Sequence, residues 1–435
     1  MLEHPPVATE QEELETCKLS FTPEIQNINS DYPYWDKVKY IQMKDGLSSR
    51  SLWFALKFLR QLNKTIVNFG KYRFRFMMTD EMFELLHYFD MNIGGSLKGE
   101  HLIPSENKNA YLVSSIMEEA IASSQMEGAA TTRKEAKDML RKSEKPKNKG
   151  QQMIFNNYLT ITYIKEIAKT DFSTQQLCEI HRSMTENTLD DEADAGKIRE
   201  HDNILVMDGI TGNIAHTPPH YEELNTLLAD LEKFFNKEGE NFIHPIVKGI
   251  IVHFMLAYIH PFVDGNGRTA RSLFYWYMLK NNYWLIEYMS ISRIIYKEKK
   301  RYEKSFLYTE YDDNDLTYFI LYNLRAMKKS FEELKLYLNR KTEENNGILL
   351  LANIKGINQR QAQILKIINE KANTCLSVKE IENRFSVSNF TARTDLERLV
   401  TLGYLTEIQL NKVKRNYIKS ENFDNLIKNK IKRTH

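Results

Sequence analysis

The chain has 435 residues, room for two or three domains and a large buried core. Apolar residues make up 42% and charged residues 27%, and the cysteines, Cys17, Cys178 and Cys375, are odd in number and far apart, which excludes a disulfide framework and a cysteine metal knuckle. Net charge is only +2, yet residues 351–435 hold sixteen Lys/Arg against eight Asp/Glu, leaving 44 against 50 over the first 350: a basic tail on an acidic body, which points to separate partners for the two parts.

The N-terminal stretch, MLEHPPVATEQEELET, is acidic and lacks the apolar core of a secretory signal. The longest apolar run, IIVHFMLAYI at 250–259, is interrupted by His253 and too short to span a bilayer. A soluble, cytoplasmic protein with no membrane partner is expected. Apolar residues recur mostly at helical spacing, so the fold is predicted to be mainly α. Residues 1–109 are expected to form an N-terminal helical region, with an aromatic-rich segment, YPYWDKVKYI, and a helix over 51–67 (SLWFALKFLRQLNKTIV). No role is legible in them.

SSIMEEAIASSQMEG (114–128) reads as part of a helix over 112–128, closed by Gly128 just past its cap. Thr132-Arg-Lys-Glu135 is a capping box that starts the next helix. Glu127 therefore lies at a helix C-terminus, where the dipole disfavours a negative charge by about 0.3–1 kcal/mol, and it wants a cation. Ser123, one turn earlier on the same face, can hydrogen-bond near it. RKSEKPKNKG (141–150) reads as a solvated linker or turn. One segment breaks the helical pattern: ILVMDGITGNIAHTPP (204–219) reads as a strand, an Asp208-Gly209 or Gly212-Asn213 turn, and a second strand ended by Pro218-Pro219. Such a hairpin is either an ordinary surface excursion or an edge that captures an extended peptide.

HPIVKGIIVHFMLAYI (244–259) reads as a buried helix, with Pro245 in its first turn and Pro261 just past its end. RTARSLFYWYML (268–279) resumes the helical pattern. Between them, HPFVDGNGRTAR (260–271) is a helix–loop–helix junction too rich in polar groups to be explained by packing. Free N–H groups and the dipole at the second helix's N-terminus attract anions. Gly265 and Gly267 permit positive φ and close approach to a ligand. Arg268 and Arg271, three apart, share a face suited to phosphate oxygens. Asp264 suits a hydrated Mg²⁺, and His260 can take a proton from a hydroxyl near neutral pH. No Walker lysine is present, so the loop is not a P-loop.

Residues 260–271 resemble the signature of the Fic family, HPFx[DE]GNGRxxR, and match it at every fixed position. The resemblance implies a helical Fic core over roughly 110–340, and transfer of AMP from ATP to a Ser, Thr or Tyr hydroxyl of a target protein with Mg²⁺ or Mn²⁺. It makes His260 the general base and Asp264 the metal ligand. Gly265, Asn266, Gly267, Arg268, Thr269 and Arg271 become the ATP phosphate site, with Arg271 gripping the terminal phosphate. The hairpin then resembles the family's flap, with Ile204, Leu205, Val206, Met207, Ile210, Thr211 and Gly212 aligning a target segment as an added strand. RYEKSFLY (301–308) is similar to the family's tyrosine-bearing segment only through Tyr302, which is assigned to the ATP site. Ser123-xxx-Glu127-Gly128 resembles the inhibitory motif [ST]xxxE[GN] that some members, class II, carry ahead of the core. It implies that Glu127, supported by Ser123, pairs with Arg271 and holds the enzyme off. The same carboxylate could orient a water for removing AMP from modified targets.

Residues 351–435 are expected to form a winged helix-turn-helix domain, with helices over 358–371, 376–385 and 388–402, a strand from Gly403, and a wing near 409–415. SVSNFTARTDLERLVTLGYL is similar to many bacterial regulators, which implies a bacterial protein. Asn389, Thr391 and Arg393 are candidates for groove contacts with DNA, and Lys412, Lys414 and Arg415 for its phosphates. Asp395 and Glu397, within the reading helix, count against tight DNA binding, and such domains also bind proteins. Two readings stand: a target-modifying enzyme with a regulatory tail, and a nucleotide-sensing transcription regulator. The expected partners are ATP, a target protein and DNA, with a second copy of the chain as a further candidate.

Overall fold

Two units share the chain, residues 1–334 and 335–435. The structure, a computed structural model, describes residues 2–9, 12, 16–43, 46–94, 108–207, 212–237, 241–352, 356–370, 375–385, 387–409 and 415–426. Among these the chain is mostly helical, with three small antiparallel sheets.

The first unit begins with α1 (Pro23–Ser30), α2 (Trp35–Val38) and α3 (Ser49–Leu62), the last capped by Ser48, whose hydroxyl accepts from the Ser51 N–H. The helix expected over 51–67 stops at Leu62. Thr65, Ile66 and Val67 are β-branched and favour extended backbone, and a period-two pattern continues past Gly70. β1 (Lys64–Phe69) and β2 (Tyr72–Met77) accordingly pair as an antiparallel hairpin, so residues 204–219 are not the one break in the helical pattern. Val67, Phe69, Phe74 and Phe76 form its buried face. α4 (Asp80–Asn92), capped by Thr79, follows.

The remaining helices of this unit are α5 (Lys108–Met126), α6 (Arg133–Lys142), α7 (Lys149–Glu166), α8 (Thr174–Thr185), α9 (Leu224–Asn236), α10 (Pro245–Ile259), α11 (Asn266–Lys280), α12 (Ile291–Lys297), α13 (Lys299–Tyr311) and the start of α14 (Thr317–Ala352). The arrangement follows from α10. Every residue from Ile246 to Leu256 is buried, which is what a helix apolar on all sides requires, and α9 and α11 pack against it. The rings of Phe74, Phe306 and Phe319 surround Phe254, whose burial stabilises by about 1.5–3 kcal/mol. The capping box of Thr132 and Glu135 is formed at the start of α6. Between α8 and α9, β3 (Val206–Met207) pairs with β4 (Ile214–His216) through an irregular register. These strands are shorter than the 204–216 hairpin expected, because that irregularity interrupts the ladder. Ile204 and Leu205 precede β3, Gly212 takes φ +66°, and Ile210 and Thr211 lie outside the described residues.

In the second unit α15 (Gln359–Glu370), α16 (Val378–Phe385) and α17 (Asn389–Thr401) enclose a core that includes Leu365, Ile381, Leu396 and Tyr404. β6 (Leu405–Gln409) and β7 (Arg415–Lys419) pair, and β5 (Cys375–Ser377) adds to the other edge of β7. Leu376 and Ser377 thus belong to a strand rather than to the helix expected over 376–385, because Leu376 reaches the core from extended backbone. Asn389 and Arg393 are exposed on α17, while Thr391 is half-buried with its hydroxyl against that of the cap residue Ser388. Arg415 pairs with Glu407 at 3.0 Å, and Lys412 and Lys414 lie outside the described residues. Asp395 does not face outward. It falls beside Leu396 and Leu399 on the inner stripe of α17, is 3% exposed, and accepts from Asn358 and Gln361 while pairing with Arg360. Its charge therefore does not count against DNA, whereas Glu397 is exposed.

Candidate active site

His260 is the C-cap of α10 and sits in left-handed backbone, φ +51°, a conformation that costs a non-glycine residue on the order of 1–3 kcal/mol. Arg199 holds it there. Its N–H donates to the Pro261 carbonyl at 2.9 Å, its Nε to the His260 carbonyl at 3.0 Å, and its Nη1 to Asp202 at 3.0 Å. The Nδ1–H of His260 donates to the Ala257 carbonyl at 3.2 Å, leaving Nε2 as the atom available to the cavity. Burial pushes the imidazole down to about 4, so it is neutral at pH 7 and able to accept a proton.

The loop that follows is locked from two sides. Asn266 engages Phe262 twice, accepting from its N–H at 3.0 Å and donating to its carbonyl at 2.7 Å. The Asn266 side chain, expected in the anion site, is therefore a clamp on the turn. Thr269 is also fully buried, with its hydroxyl donating to the Gly265 carbonyl at 2.9 Å, so the loop's own backbone takes the donor expected for phosphate. From the other side, the ring of His181 stacks on Phe262 with centroids 3.7 Å apart. His181 Nε2 donates to the Asp264 carbonyl at 2.8 Å while its Nδ1 accepts from the Gly196 N–H at 3.0 Å. Gly265, at φ +80°, lies against α8, where a Cβ would stand 2.7 Å from the Thr185 methyl. This fit places α11 so that its N-terminus opens without a side-chain cap.

That N-terminus fits an anion. The backbone of Asn266, Gly267 and Arg268 forms the uncapped first turn. Arg268 is 1% exposed, its Nη1 donates to the Met184 carbonyl at 2.9 Å, and its buried Nε has no partner. A buried guanidinium with an orphan donor is costly unless something accepts from it. Asp264 is exposed beside the turn, one oxygen accepting from the Gly265 N–H. No cluster of three His, Cys, Asp or Glu occurs among the described residues. A single carboxylate fits a Mg²⁺ that takes its other ligands from phosphates and water.

Over the same turn lies Glu127, just past the end of α5. Its Oε1 accepts from Arg271 Nη2 at 2.8 Å, and a Cβ at Gly267 would meet that oxygen at 2.2 Å. The side chain is 32% exposed because it faces the cavity. Burial by itself would raise its carboxyl, but the guanidinium of Arg271 outweighs that, aided by Arg268 and Lys299, and holds it below the usual range. Arg271 also donates through Nε to the Ser123 hydroxyl and through Nη2 to the Ser123 carbonyl, both at 2.9 Å. Ser123 thus bonds Arg271 rather than Glu127. Lys299 donates to the Met126 carbonyl at 3.0 Å, satisfying the last turn of α5. Tyr302 is buried with its hydroxyl 3.0 Å from His253 Nε2, and it lies within hydrogen-bonding reach of Arg271. The structure therefore places Tyr302 against Arg271 and His253, in the lining of the same cavity.

A cavity of about 320 Å³ brings these groups together: it is lined by Glu127, Gly267, Arg271, Tyr302 and His260, and by Val206, Met207 and His216 of the hairpin. Met207 and Ile214 are half exposed there. His216 ties the hairpin down, with Nδ1 2.8 Å from Glu310 and Nε2 2.8 Å from the Tyr258 carbonyl.

Residues 171–278 match the Fic/DOC family, and residues 360–409 match a DeoR-like helix-turn-helix domain. The chain carries a Fic domain. This Fic domain runs from just before α8 to near the end of α11, and so includes His181, Arg199 and the whole of 260–271. The protein adenylyltransferases Fic of Drosophila sechellia and Drosophila melanogaster are each 31% identical to this chain over 127 residues, 29% of this chain and 24% of theirs. The chain thus spans about a quarter of the length of these curated relatives. A Fic family protein from Desulfovibrio desulfuricans G20 shares the fold, with a TM-score of 0.50 at 18% identity over 79% of this chain and 97% of that one. No described helix is long and apolar enough to cross a membrane.

His181, Arg199, His253 and Lys299 escape the sequence reading. His181 carries a signal there, since it continues the apolar stripe of Leu177, Ile180 and Met184 on α8, and so does His253, the one polar interruption of the apolar run 250–259.

Proposed function

We propose that the chain is a protein adenylyltransferase, moving AMP from ATP to a hydroxyl of a target protein, and that Glu127 holds it in check. One observation carries the reading: the available His260 Nε2 and Gly267 of the uncapped α11 N-terminus face one cavity that Glu127 partly fills, and behind that turn the buried Nε of Arg268 lacks a partner. His260 takes the proton of the target hydroxyl, a bond forms from that oxygen to the α-phosphorus, and the bond to the leaving diphosphate breaks. The first turn of α11 and Arg268 stabilise the charge on the phosphates. Asp264 is the residue to hold Mg²⁺ or Mn²⁺, which when bound neutralises phosphate charge. Arg271, once released by Glu127, binds the terminal phosphate. The hairpin lays the target segment across the mouth, and Glu127 serves equally to orient a water for removal of AMP. A cytoplasmic setting agrees with three cysteines that form no disulfide.

The DeoR-like domain favours a second reading, a regulator that senses nucleotide in its Fic domain and binds DNA through Asn389, Thr391, Arg393 and Arg415. Incubation of the Glu127→Gly chain with Mg²⁺ and ATP labelled at the α- or the γ-phosphorus separates them. Label appears on protein from the α position alone if AMP is transferred. No label from either position, with ATP-dependent duplex DNA binding intact, favours the regulator.

A further inference from the structure

The face of the β1–β2 hairpin turned away from the core is basic. Its register sets Ile66 opposite Arg75 and Asn68 opposite Arg73, so Lys64, Ile66, Arg73 and Arg75 share the outer face while Val67, Phe69, Phe74 and Phe76 are buried. With Lys71 and Tyr72 these residues line an open cleft of about 460 Å³. Its cations are not all engaged. Arg75 lies among Asp312, Asp313 and Asp315, and Lys71 pairs with Glu223 at 2.9 Å. The side chains of Lys64 and Arg73 have no acidic partner among the described residues.

Solvated lysines are ordinary, but this pair stands in a concave and rigid place. Phe74 packs on Phe254 and Tyr258 of α10, and the turn is pinned where the Gly70 N–H donates to Asp230 at 2.7 Å. The cleft also adjoins the active site. Tyr72 in its wall meets Tyr258 edge-on, with centroids 5.6 Å apart. Tyr258 in turn lines the cavity of His260, and its carbonyl holds His216 of the β3–β4 hairpin.

We propose that this cleft binds an acidic stretch of the target polypeptide next to the hydroxyl that enters the His260 cavity. The inference rests on the transferase reading for what occupies the neighbouring cavity. Two cations without an acidic partner among the described residues, beside Ile66 and Tyr72, suit carboxylates carried on a peptide with apolar side chains. Two cations, with Asp313 at the rim, match one or two carboxylates and are too few for a continuous phosphodiester strand, which carries a charge at every nucleotide.

Anisotropy of a fluorescent peptide of alternating Glu and Gly, a Ser-Gly peptide of equal length and a short single-stranded oligonucleotide, each against the full chain without nucleotide, tests this. The acidic peptide should bind roughly tenfold tighter than the neutral one at low salt, and the Lys64→Gln/Arg73→Gln pair should abolish that preference. Lys64→Glu/Arg73→Glu should repel the peptide, and melting of both variants near the parent value shows that folding is intact. Equal binding of the two peptides overturns the inference, as does an oligonucleotide affinity that alone falls in the variants. The binding needs neither ATP nor His260. A missing transfer reaction with charge-dependent binding intact therefore faults the proposed reaction and leaves the cleft standing.

Discussion

Glu127 stands directly on Arg271, Oε1 to Nη2 2.8 Å, above the one residue of the loop, Gly267, whose lack of a side chain makes room for it. A carboxylate so placed occupies the α11 N-terminus and the guanidinium that phosphates would otherwise use. Glu127→Gly should therefore raise AMP transfer by roughly tenfold or more, the range expected when one charge-assisted contact stops competing with substrate. Adding Arg271→Ala to that variant should return the rate to the low parent level. Quantified label from α-labelled ATP measures both, and a Glu127→Gly rate at or below the parent rate sinks the inhibitory role.

His260 is separate from the proposed phosphate cradle, since among the described residues its ring bonds the Ala257 carbonyl while the uncapped N–H groups belong to α11. In the Glu127→Gly background, His260→Ala should lower transfer by about 10²–10⁴-fold with ATP affinity nearly unchanged. Single-turnover rates and calorimetric ATP binding test the split. A matching loss of affinity would show that His260 acts on the nucleotide rather than on the hydroxyl.

How much of this site the sequence reveals depends on how local it is. Residues 260–271 are legible because the histidine, the carboxylate, the glycines and both arginines fall within twelve consecutive residues, from the cap of one helix to the second turn of the next. The Glu127–Arg271 pair is legible only through the motif, since physical chemistry alone asks for some cation near Glu127 without naming it. The supports of the loop are not legible. His181 reaches Asp264 and Arg199 reaches His260 from distant parts of the chain, and periodicity gives faces, not partners. The β1–β2 hairpin is lost for another reason: the helical spacing of α3 runs on into Thr65–Val67, where β-branching decides the backbone. Asp395 shows the converse error, a charge counted by position in a helix without regard to the face it occupies.

Two buried histidines, His181 and His253, contribute with His260 to a pH response of stability. Burial pushes His181 down to about 4 and His253 to about 3, and both are almost fully buried. Below the ordinary value near 6.5 the unfolded chain takes up protons that the folded chain refuses, so the stability they contribute is complete above that value and falls as pH falls. Each can contribute a slope of up to about 1.4 kcal/mol per pH unit, ending near pH 4 for His181 and continuing toward pH 3 for His253. Chemical denaturation of the parent and of His253→Gln between roughly pH 6.5 and 5 should show a shallower decline in the variant. Parallel declines would mean that His253 is protonated in the folded chain.

In the helix-turn-helix domain, Asp395 should act on stability rather than on DNA. It accepts from Gln361 at 2.9 Å and Asn358 at 3.2 Å and pairs with Arg360, tying α17 to the start of α15. Asp395→Ala leaves the buried Gln361 amide without its acceptor and frees Asn358 and Arg360 to water, and should cost about 1–3 kcal/mol, with Asp395→Asn costing less because it keeps one acceptor. Glu397→Ala, on the exposed face, should change stability by less than about 0.5 kcal/mol. Hydrogen exchange of the full chain reads this locally. Amides of α15 and α17 should exchange faster in Asp395→Ala, while those of α10 and α11 keep the parent rate. If α15 and α17 exchange at the parent rate in Asp395→Ala, Asp395 is not what joins them, and its charge returns to the side facing a DNA partner.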